Sequence, residues 1–170
     1  MHILATGGTL AKRYEPCAGE LVVDNTVLDA LVAGLTLPDM ALTLRHVLAC
    51  DSLDMTDAQR LQVVAAVRAS APAADGVVIA HGTDTLTTTS ALLQAQLPDP
   101  KIPVVLTGAM VPHSCGDSDA RQNMTQAIMA CRLLPPGVHI VFHGQVHDAV
   151  RTVKSHARGT FESLPDEPDA

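Results

Sequence analysis

The chain has 170 residues, a net charge of −7, 47% hydrophobic residues and only 2% aromatic residues. This length and apolar content suit one folded domain and exclude a disordered chain. The acidic balance, without a basic stripe or aromatic side chains for stacking, disfavours nucleic-acid binding, and the apolar runs are too short to span a bilayer.

Composition also predicts the cellular compartment and the kind of hydrophobic core. The four cysteines, Cys17, Cys50, Cys115 and Cys131, are widely spaced with no CxxC pair, which predicts reduced thiols in a cytoplasmic protein. The N-terminus lacks a charged region followed by a long apolar segment, so we predict no signal peptide. A core built from aliphatic side chains is typical of α/β proteins, whose buried parallel strands are aliphatic runs.

The apolar pattern predicts strands that alternate with helices. In chain order we expect a strand at 2–6, a loop at 12–20, a short helix at 26–35, a strand at 42–48, a helix ending near 70, a strand at 76–80, a helix ending before Pro98, a strand at 103–108, a helix at 120–134, a strand at 138–144 and a short strand at 149–154. Thr56 and Gln59 have the spacing of a capping box at the start of the second helix.

This alternation predicts an α/β fold of one domain. We expect a three-layer, doubly wound, mostly parallel sheet of the Rossmann or flavodoxin-like type, with helices on both faces. The domain is predicted to span residues 1–162, and the acidic tail at 163–170, which contains proline, is expected to fray.

Small and polar residues follow the predicted strands. In sheets of this kind, ligands bind outside the carboxyl ends of the strands. The residues expected at that edge are Gly7-Gly8-Thr9, Asp51-Ser52, His81-Gly82-Thr83-Asp84, Thr107-Gly108-Ala109 and Gly144. Hydroxyl groups, small residues and carboxylates should therefore meet at one edge of the sheet.

The usual phosphate-binding motifs are missing from these loops. Neither GxGxxG nor GxxxxGK[ST] occurs, so a dinucleotide or P-loop site lacks its main support. Two threonines remain, Thr9 and Thr83, and a threonine hydroxyl needs a base before it becomes a useful nucleophile. Asp84 and Lys154 are the candidate partners, and the helix that follows Thr83 offers free N–H groups to an anion.

Five segments together resemble the bacterial-type L-asparaginase family. "ILATGGTLA" and "HGTDTL" resemble its two signature motifs, and "DSLDMT" resembles its substrate-carboxylate loop. "VVLTGAMVP" is similar to its third conserved strand and turn, and "RTVKSHARGTFES" to the segment with the catalytic lysine. The resemblance implies hydrolysis of the side-chain amide of L-asparagine, with L-glutamine as a weaker substrate, to the acid and ammonia without a cofactor or metal.

The resemblance also implies catalytic roles. Thr9 would form an acyl-enzyme, and Thr83, Asp84 and Lys154 would be the polar relay beside it. Tyr14 would lie on a mobile loop and orient Thr9. Which of the two threonines attacks first is left open by the sequence.

Further residues would bind the substrate. Ser52 would hold its α-carboxylate, Asp84 its α-ammonium group, and Ala109 would lie near the departing ammonia. Leu53 stands where many relatives carry a polar substrate contact. The substrate-binding set implied by the resemblance is Gly8, Asp51, Ser52, Leu53, Gly82 and Ala109.

The common enzymes of this family carry a second, smaller domain, so the resemblance implies a short single-domain form. The low charge and high aliphatic content predict a homo-oligomer. A second hypothesis is an asparaginase-like module that binds an amino acid or serves a larger amidase complex; nucleotide binding is a weaker third. His143 and His147 are four residues apart on a predicted strand and loop, a spacing that does not predict a metal site.

Overall fold

The computed structural model describes residues 1–165, which form ten strands and four α-helices. The strands are β1 (His2–Gly7), β2 (Lys12–Glu15), β3 (Glu20–Val23), β4 (Thr43–Cys50), β5 (Val77–Ala80), β6 (Pro103–Thr107), β7 (Gly137–Phe142), β8 (Gln145–Asp148), β9 (Thr152–Ser155) and β10 (Thr160–Ser163). The helices are α1 (Thr26–Ala33), α2 (Asp57–Ser70), α3 (Leu86–Gln96) and α4 (Ala120–Leu133). The end of the predicted tail, residues 166–170, lies outside the described residues.

Six strands form the main sheet in the order β4-β1-β5-β6-β7-β8. The first five are parallel, and β8 is antiparallel to β7. With β4 taken as the second strand, the parallel part has the flavodoxin-like order 2-1-3-4-5, whose winding reverses between β1 and β5. The predicted doubly wound α/β fold is confirmed, and the reversal point is where such folds bind their ligands.

Alternate residues of the central strands face opposite layers. Ile3, Val78 and Val105 are buried in one cluster, with side chains of α1 and α4. Leu4, Ile79 and Leu106 are buried in the other, with side chains of α2 and α3. Because both faces are covered, these strands are continuous apolar runs, as expected for a buried parallel sheet. In the described part of the chain, no helix is long and apolar enough to cross a membrane.

The prediction of a loop at 12–20 was wrong. Instead, β2 and β3 form an antiparallel hairpin that pairs Tyr14 with Leu21. Arg13 supports it through ion pairs with Glu15 and Asp24, both at 2.7 Å. Strand β2 (KRYE) has no apolar alternation and β3 (ELVV) has only four residues, and neither strand contains a buried residue, so the pattern that marks a buried strand is absent.

Three other strands near the C-terminus differ from prediction. The strand expected at 149–154 begins only at Thr152, because the Asp148 carboxylate accepts hydrogen bonds from the Val150 and Arg151 amides and holds a turn there. Strands β8 and β10 were not predicted, since each has only four residues and lies at the edge of a sheet.

The capping box at the start of α2 is confirmed. The Thr56 hydroxyl accepts from the Gln59 amide at 3.3 Å, and the Gln59 side chain accepts from the Thr56 amide at 2.8 Å. We therefore expect Thr56→Ala to lower the free energy of unfolding by about 1 kcal/mol, measured by urea denaturation. Thr88→Ala, at an exposed position of α3, is the control and should change it by less than about 0.5 kcal/mol. Equal losses in both variants would contradict a capping role.

Candidate active site

Close backbone contact at the reversal point brings two loops together. Gly8 has φ +76°, and a Cβ atom there would collide with the backbone N and Cα of Gly82. A side chain at Gly8 would therefore force the loops apart. Because the ends of β1 and β5 touch at these glycines, Thr9 and Thr83, the next residues of each loop, lie at the same edge of the sheet.

Lys154 contacts Thr83. Its Nζ donates to Thr83 Oγ1 at 2.8 Å and to Asp84 Oδ1 at 2.6 Å. Thr83 is 2% exposed, and the Lys154 side chain is 15% exposed. The structure thus brings a lysine to two residues that lie 70 and 71 positions earlier in the sequence, in a Thr–Lys–Asp arrangement that could move a proton.

Ser52 lies on the other side of Gly82. Its side chain is fully buried, and within residues 1–165 its Oγ has no hydrogen-bond partner. A Cβ atom at Gly82 would lie 2.5 Å from that oxygen, so glycine leaves the serine hydroxyl open to the loop. A buried hydroxyl without a partner is energetically unfavourable, so this oxygen is a candidate to bind a water molecule or a ligand.

The loop that carries Ser52 is held by charge and hydrogen bonds. Lys12 donates to Asp51 Oδ2 at 2.5 Å, and the Leu53 amide donates to Asp51 Oδ1 at 3.1 Å. Burial raises the pKa of Asp51, but the Lys12 ammonium and the backbone donors outweigh it and keep that pKa below its usual value. Asp51 is therefore an ionised support of the loop. The Thr85 hydroxyl donates to the Ser52 carbonyl at 2.7 Å.

Ala109 is fully buried just beyond the end of β6. Asp119 holds this segment, because its carboxylate accepts from the Met110 and Val111 amides at 3.0 Å. Asn123 donates to the Gly108 carbonyl at 3.0 Å. Burial raises the pKa of Asp119, but these donors and a contact with His143 lower it overall, so the carboxylate stays ionised.

Three predicted site residues are half-buried or exposed, in contrast to the buried site residues described above. Thr9 is half-buried and begins a short 3₁₀ turn. Tyr14 lies on β2 and is 58% exposed; within residues 1–165 its hydroxyl makes no hydrogen bond to Thr9. Leu53 is 70% exposed at the rim of the Ser52 loop.

Two supporting cations were missed by the sequence analysis. Lys12 pairs with Asp51 as described above, and the buried Arg60 donates to Thr85 Oγ1 at 3.1 Å and to the Met55 carbonyl at 2.6 Å. Arg60 lies in α2, where an arginine normally indicates an exposed face. Their contacts depend on tertiary structure, and the sequence offered no signal for them.

His81 lies beside Thr83 as a neutral structural residue. Its ring is fully buried, with Nδ1 2.8 Å from the Gly82 carbonyl and Nε2 2.9 Å from Thr89 Oγ1. Burial lowers the pKa of His81 to about 4. Neutral histidine satisfies both contacts, since Nδ1–H donates to the carbonyl and Nε2 accepts from the hydroxyl.

This histidine makes folding stability depend on pH. Its pKa is about 4 when folded and about 6.5 when unfolded, so the unfolded chain binds a proton first as the pH falls. The free energy of unfolding should therefore drop between pH 6.5 and 4, by about 3 kcal/mol in total from this residue. We expect His81→Gln to lose most of this slope in urea denaturation across that range. The exposed-histidine control His46→Gln should keep it, and an unchanged slope in His81→Gln would contradict the assignment.

Comparisons with known proteins identify the family of the chain. The family described as "Asparaginase, N-terminal" matches residues 1–169. The chain belongs to the asparaginase family. The L-asparaginase of Thermococcus kodakarensis is 33% identical over 165 residues, which cover 95% of this chain and 50% of that protein. The solved structure of the thermostable L-asparaginase from the same organism matches with a TM-score of 0.83 and 31% identity, over 95% of this chain and 50% of that one.

Relatives of a second kind match as well. A subunit of the glutamyl-tRNA(Gln) amidotransferase of Methanococcus vannielii is 32% identical over 181 residues, which cover 100% of this chain and 42% of that protein. The chain thus spans about half the length, or less, of the curated relatives it matches. Relatives of both kinds align with this chain, so the comparisons establish the family but not a particular activity.

Proposed function

We propose that this asparaginase-family chain hydrolyses the side-chain amide of L-asparagine to L-aspartate and ammonia. The contact of Lys154 with both Thr83 and Asp84 is the observation that carries the proposal. A lysine that is 15% exposed, held between a buried hydroxyl and a carboxylate, has the surroundings of a proton-transfer group rather than of a solvated surface residue.

In the proposed reaction a threonine hydroxyl attacks the amide carbon. Thr9, half-buried in the turn that follows β1, forms the ester, and ammonia leaves as the C–N bond breaks. Thr83, Lys154 and Asp84 pass protons during attack and during the hydrolysis of the ester by water. Backbone N–H groups near the two threonines stabilise the oxyanion. No step requires a cofactor.

Substrate recognition would use the groups around Gly82. The buried Ser52 hydroxyl, which is unpaired within residues 1–165, would donate to the α-carboxylate, and Asp84 Oδ2 would accept from the α-ammonium group. Gly8 and Gly82 allow the substrate to approach the backbone, while Ala109 leaves room for ammonia. Tyr14 and Leu53, both exposed, would contact the substrate from the open side. Asp51 acts indirectly, by holding the Ser52 loop.

Ammonia release from L-asparagine by the purified chain tests the proposal. We expect release with L-asparagine, slower release with L-glutamine, and none above background with Lys154→Met. Lys101→Met, at a side chain that is 80% exposed, is the matched control and should keep full activity. Folded protein that binds L-aspartate but releases no ammonia would overturn the proposed hydrolysis by this chain.

A second candidate function is supported by the amidotransferase relatives. The chain would then be the asparaginase-like module of an amidotransferase assembly and would need a protein partner for activity. Absence of ammonia release by the chain alone, together with amino-acid binding, would favour it. Small-molecule amide substrates are common to both candidates, and the acidic composition disfavours nucleic-acid binding by this domain.

The predicted homo-oligomer, cytoplasmic location and domain boundary at residue 162 are part of the proposal. Exposed apolar side chains include Leu133 (79%), Val150 (55%) and Val146 (52%), which an interface between copies of the chain would cover. All four cysteines, which lie within the described residues, are free thiols, as expected for a reducing compartment. Light scattering on the purified chain should give a mass above 17.8 kDa, and a monomer across the micromolar range would contradict the oligomer.

A further inference from the structure

The lysine of the candidate site lies on a hairpin that is separate from the main sheet. Strands β9 and β10 pair only with each other among the described strands. The position of Lys154 therefore depends on the side chains that anchor this hairpin. One anchor is apolar: Phe161, 3% exposed, packs edge-to-face on Phe142 with 5.0 Å between ring centroids. Phe161 is also the direct strand partner of Lys154.

Thr152 of β9 donates to the Asp148 carbonyl at 2.5 Å, and the polar anchors of β10 include two histidines of the β7–β8 hairpin. His143 Nδ1 lies 3.0 Å from Thr160 Oγ1, and His147 Nδ1 lies 3.3 Å from Ser163 Oγ. Their spacing of four residues, which does not suit a metal, instead places them at both ends of β10. Both histidines contact the strand that pairs with the one carrying Lys154.

His143 also contacts the loop near Ala109. Its Nε2 lies 2.9 Å from Asp119 Oδ2, the carboxylate that holds the Met110 and Val111 amides. Its backbone amide donates to Asn123 Oδ1 at 3.2 Å. The imidazole thus bridges two segments of the candidate site, the β6–α4 loop and the β9–β10 hairpin.

The backbone at this residue is strained. His143 has φ +46° and Gly144 has φ +80°, which form a two-residue hairpin turn with both central residues in the left-handed region. Such turns favour Asn-Gly, and a left-handed non-glycine residue is uncommon. Asparagine would form the turn more easily, so the turn alone does not account for a histidine. Strain of this kind points to a role for the side chain.

We infer that His143 is a positioning residue that holds Lys154 against Thr83 and Asp84 by bridging Asp119 and Thr160. This inference rests on the proposed function for its catalytic consequence, but the placement of Lys154 can be tested without activity. Loss of the imidazole should loosen the β9–β10 hairpin and leave the Ser52 side of the site unchanged.

Lysine acylation measures the placement directly, because the chain has only three lysines, Lys12, Lys101 and Lys154. Lys154 is 15% exposed and Lys101 is 80% exposed, so Lys101 serves as the internal reference. The folded protein is labelled with an N-hydroxysuccinimide ester, then digested and analysed by mass spectrometry. In His143→Asn, the ester should acylate Lys154 at least about threefold faster than in the unchanged chain, with both rates taken relative to Lys101. Asparagine keeps the turn, so this variant is expected to fold.

Three further variants test whether the contact between His143 and Thr160 controls the acylation of Lys154. Thr160→Val, which keeps the shape of the side chain, should also speed acylation of Lys154, whereas Thr160→Ser should restore the slow rate. His139→Asn, at the other end of β7, is the control and should resemble the unchanged chain. Unchanged acylation of Lys154 in both His143→Asn and Thr160→Val would overturn the inference.

The kinetic readout separates this inference from the proposed function. In His143→Asn, kcat for L-asparagine should fall roughly tenfold with KM unchanged, because a misplaced catalytic group slows chemistry while Ser52 still binds substrate. If His143→Asn and His139→Asn show the same change in kcat and the same change in thermal stability, the role of His143 is merely structural and the inference is contradicted. If the unchanged chain releases no ammonia, the proposed function fails, and the acylation experiment still decides the placement of Lys154.

Discussion

Ammonia release from L-asparagine by Thr83→Ala should fall on the order of 10⁴-fold below that of the unchanged chain, since residues that act as one catalytic unit show losses of this size or more. Thr83 is the threonine whose hydroxyl contacts Lys154, and the variant removes that contact while Asp84 remains. The measurement is the initial rate under saturating substrate, with circular dichroism to show that the variant is folded.

Two comparisons make the result specific. Thr88→Ala, at an exposed position of the helix that follows, should keep full activity, and Thr83→Ser should keep a measurable part of it. The nucleophile is identified by acid quench and peptide mass spectrometry. We expect an aspartyl ester to accumulate on the peptide containing Thr9 in Thr83→Ala, and Thr9→Ala to lack both ester and turnover. A folded, fully active Thr83→Ala would contradict the proposed relay, and an ester on Thr83 in the Thr9→Ala variant would reverse the two roles.

The second large effect concerns the glycine contact at the reversal point. Gly8→Ala should lower the free energy of unfolding by about 3 kcal/mol or more, because the added Cβ atom collides with the Gly82 backbone in a buried loop and the residue is strained at φ +76°. Urea denaturation measures this change. Variants that fold should also lose ammonia release, since separation of the two loops moves Thr9 away from Thr83.

Gly19 provides a matched control. It has φ +71°, close to that of Gly8, but a Cβ atom there would have no neighbour within 4 Å in the described part of the chain. Gly19→Ala therefore carries the backbone strain without the collision and should lower stability by about 1 kcal/mol. Equal losses in the two variants would mean that the conformation, and not the contact between the two loops, is what requires glycine at position 8.

Much of the fold followed from local patterns. The runs around Leu4, Ile79 and Leu106 predicted buried parallel strands because each carries apolar side chains toward both helical layers. The Thr56–Gln59 spacing predicted the start of α2, since both partners of a capping box lie within one turn. Because Thr9, Ser52 and Thr83 follow the carboxyl ends of predicted strands, the sequence also predicted that they lie at one edge of the sheet.

The sequence by itself therefore determined the α/β class, the main strands and helices, and the loops that form the candidate site. The tertiary structure alone decided which distant side chains meet there: Lys154 with Thr83, Lys12 with Asp51, and His143 with Asp119 and Thr160. It also decided the β2–β3 hairpin and the separate β9–β10 hairpin. The physical reason is that buried strands and caps are specified by residues near one another in sequence. Half-exposed hairpins and polar contacts depend instead on partners that only the folded chain brings into range.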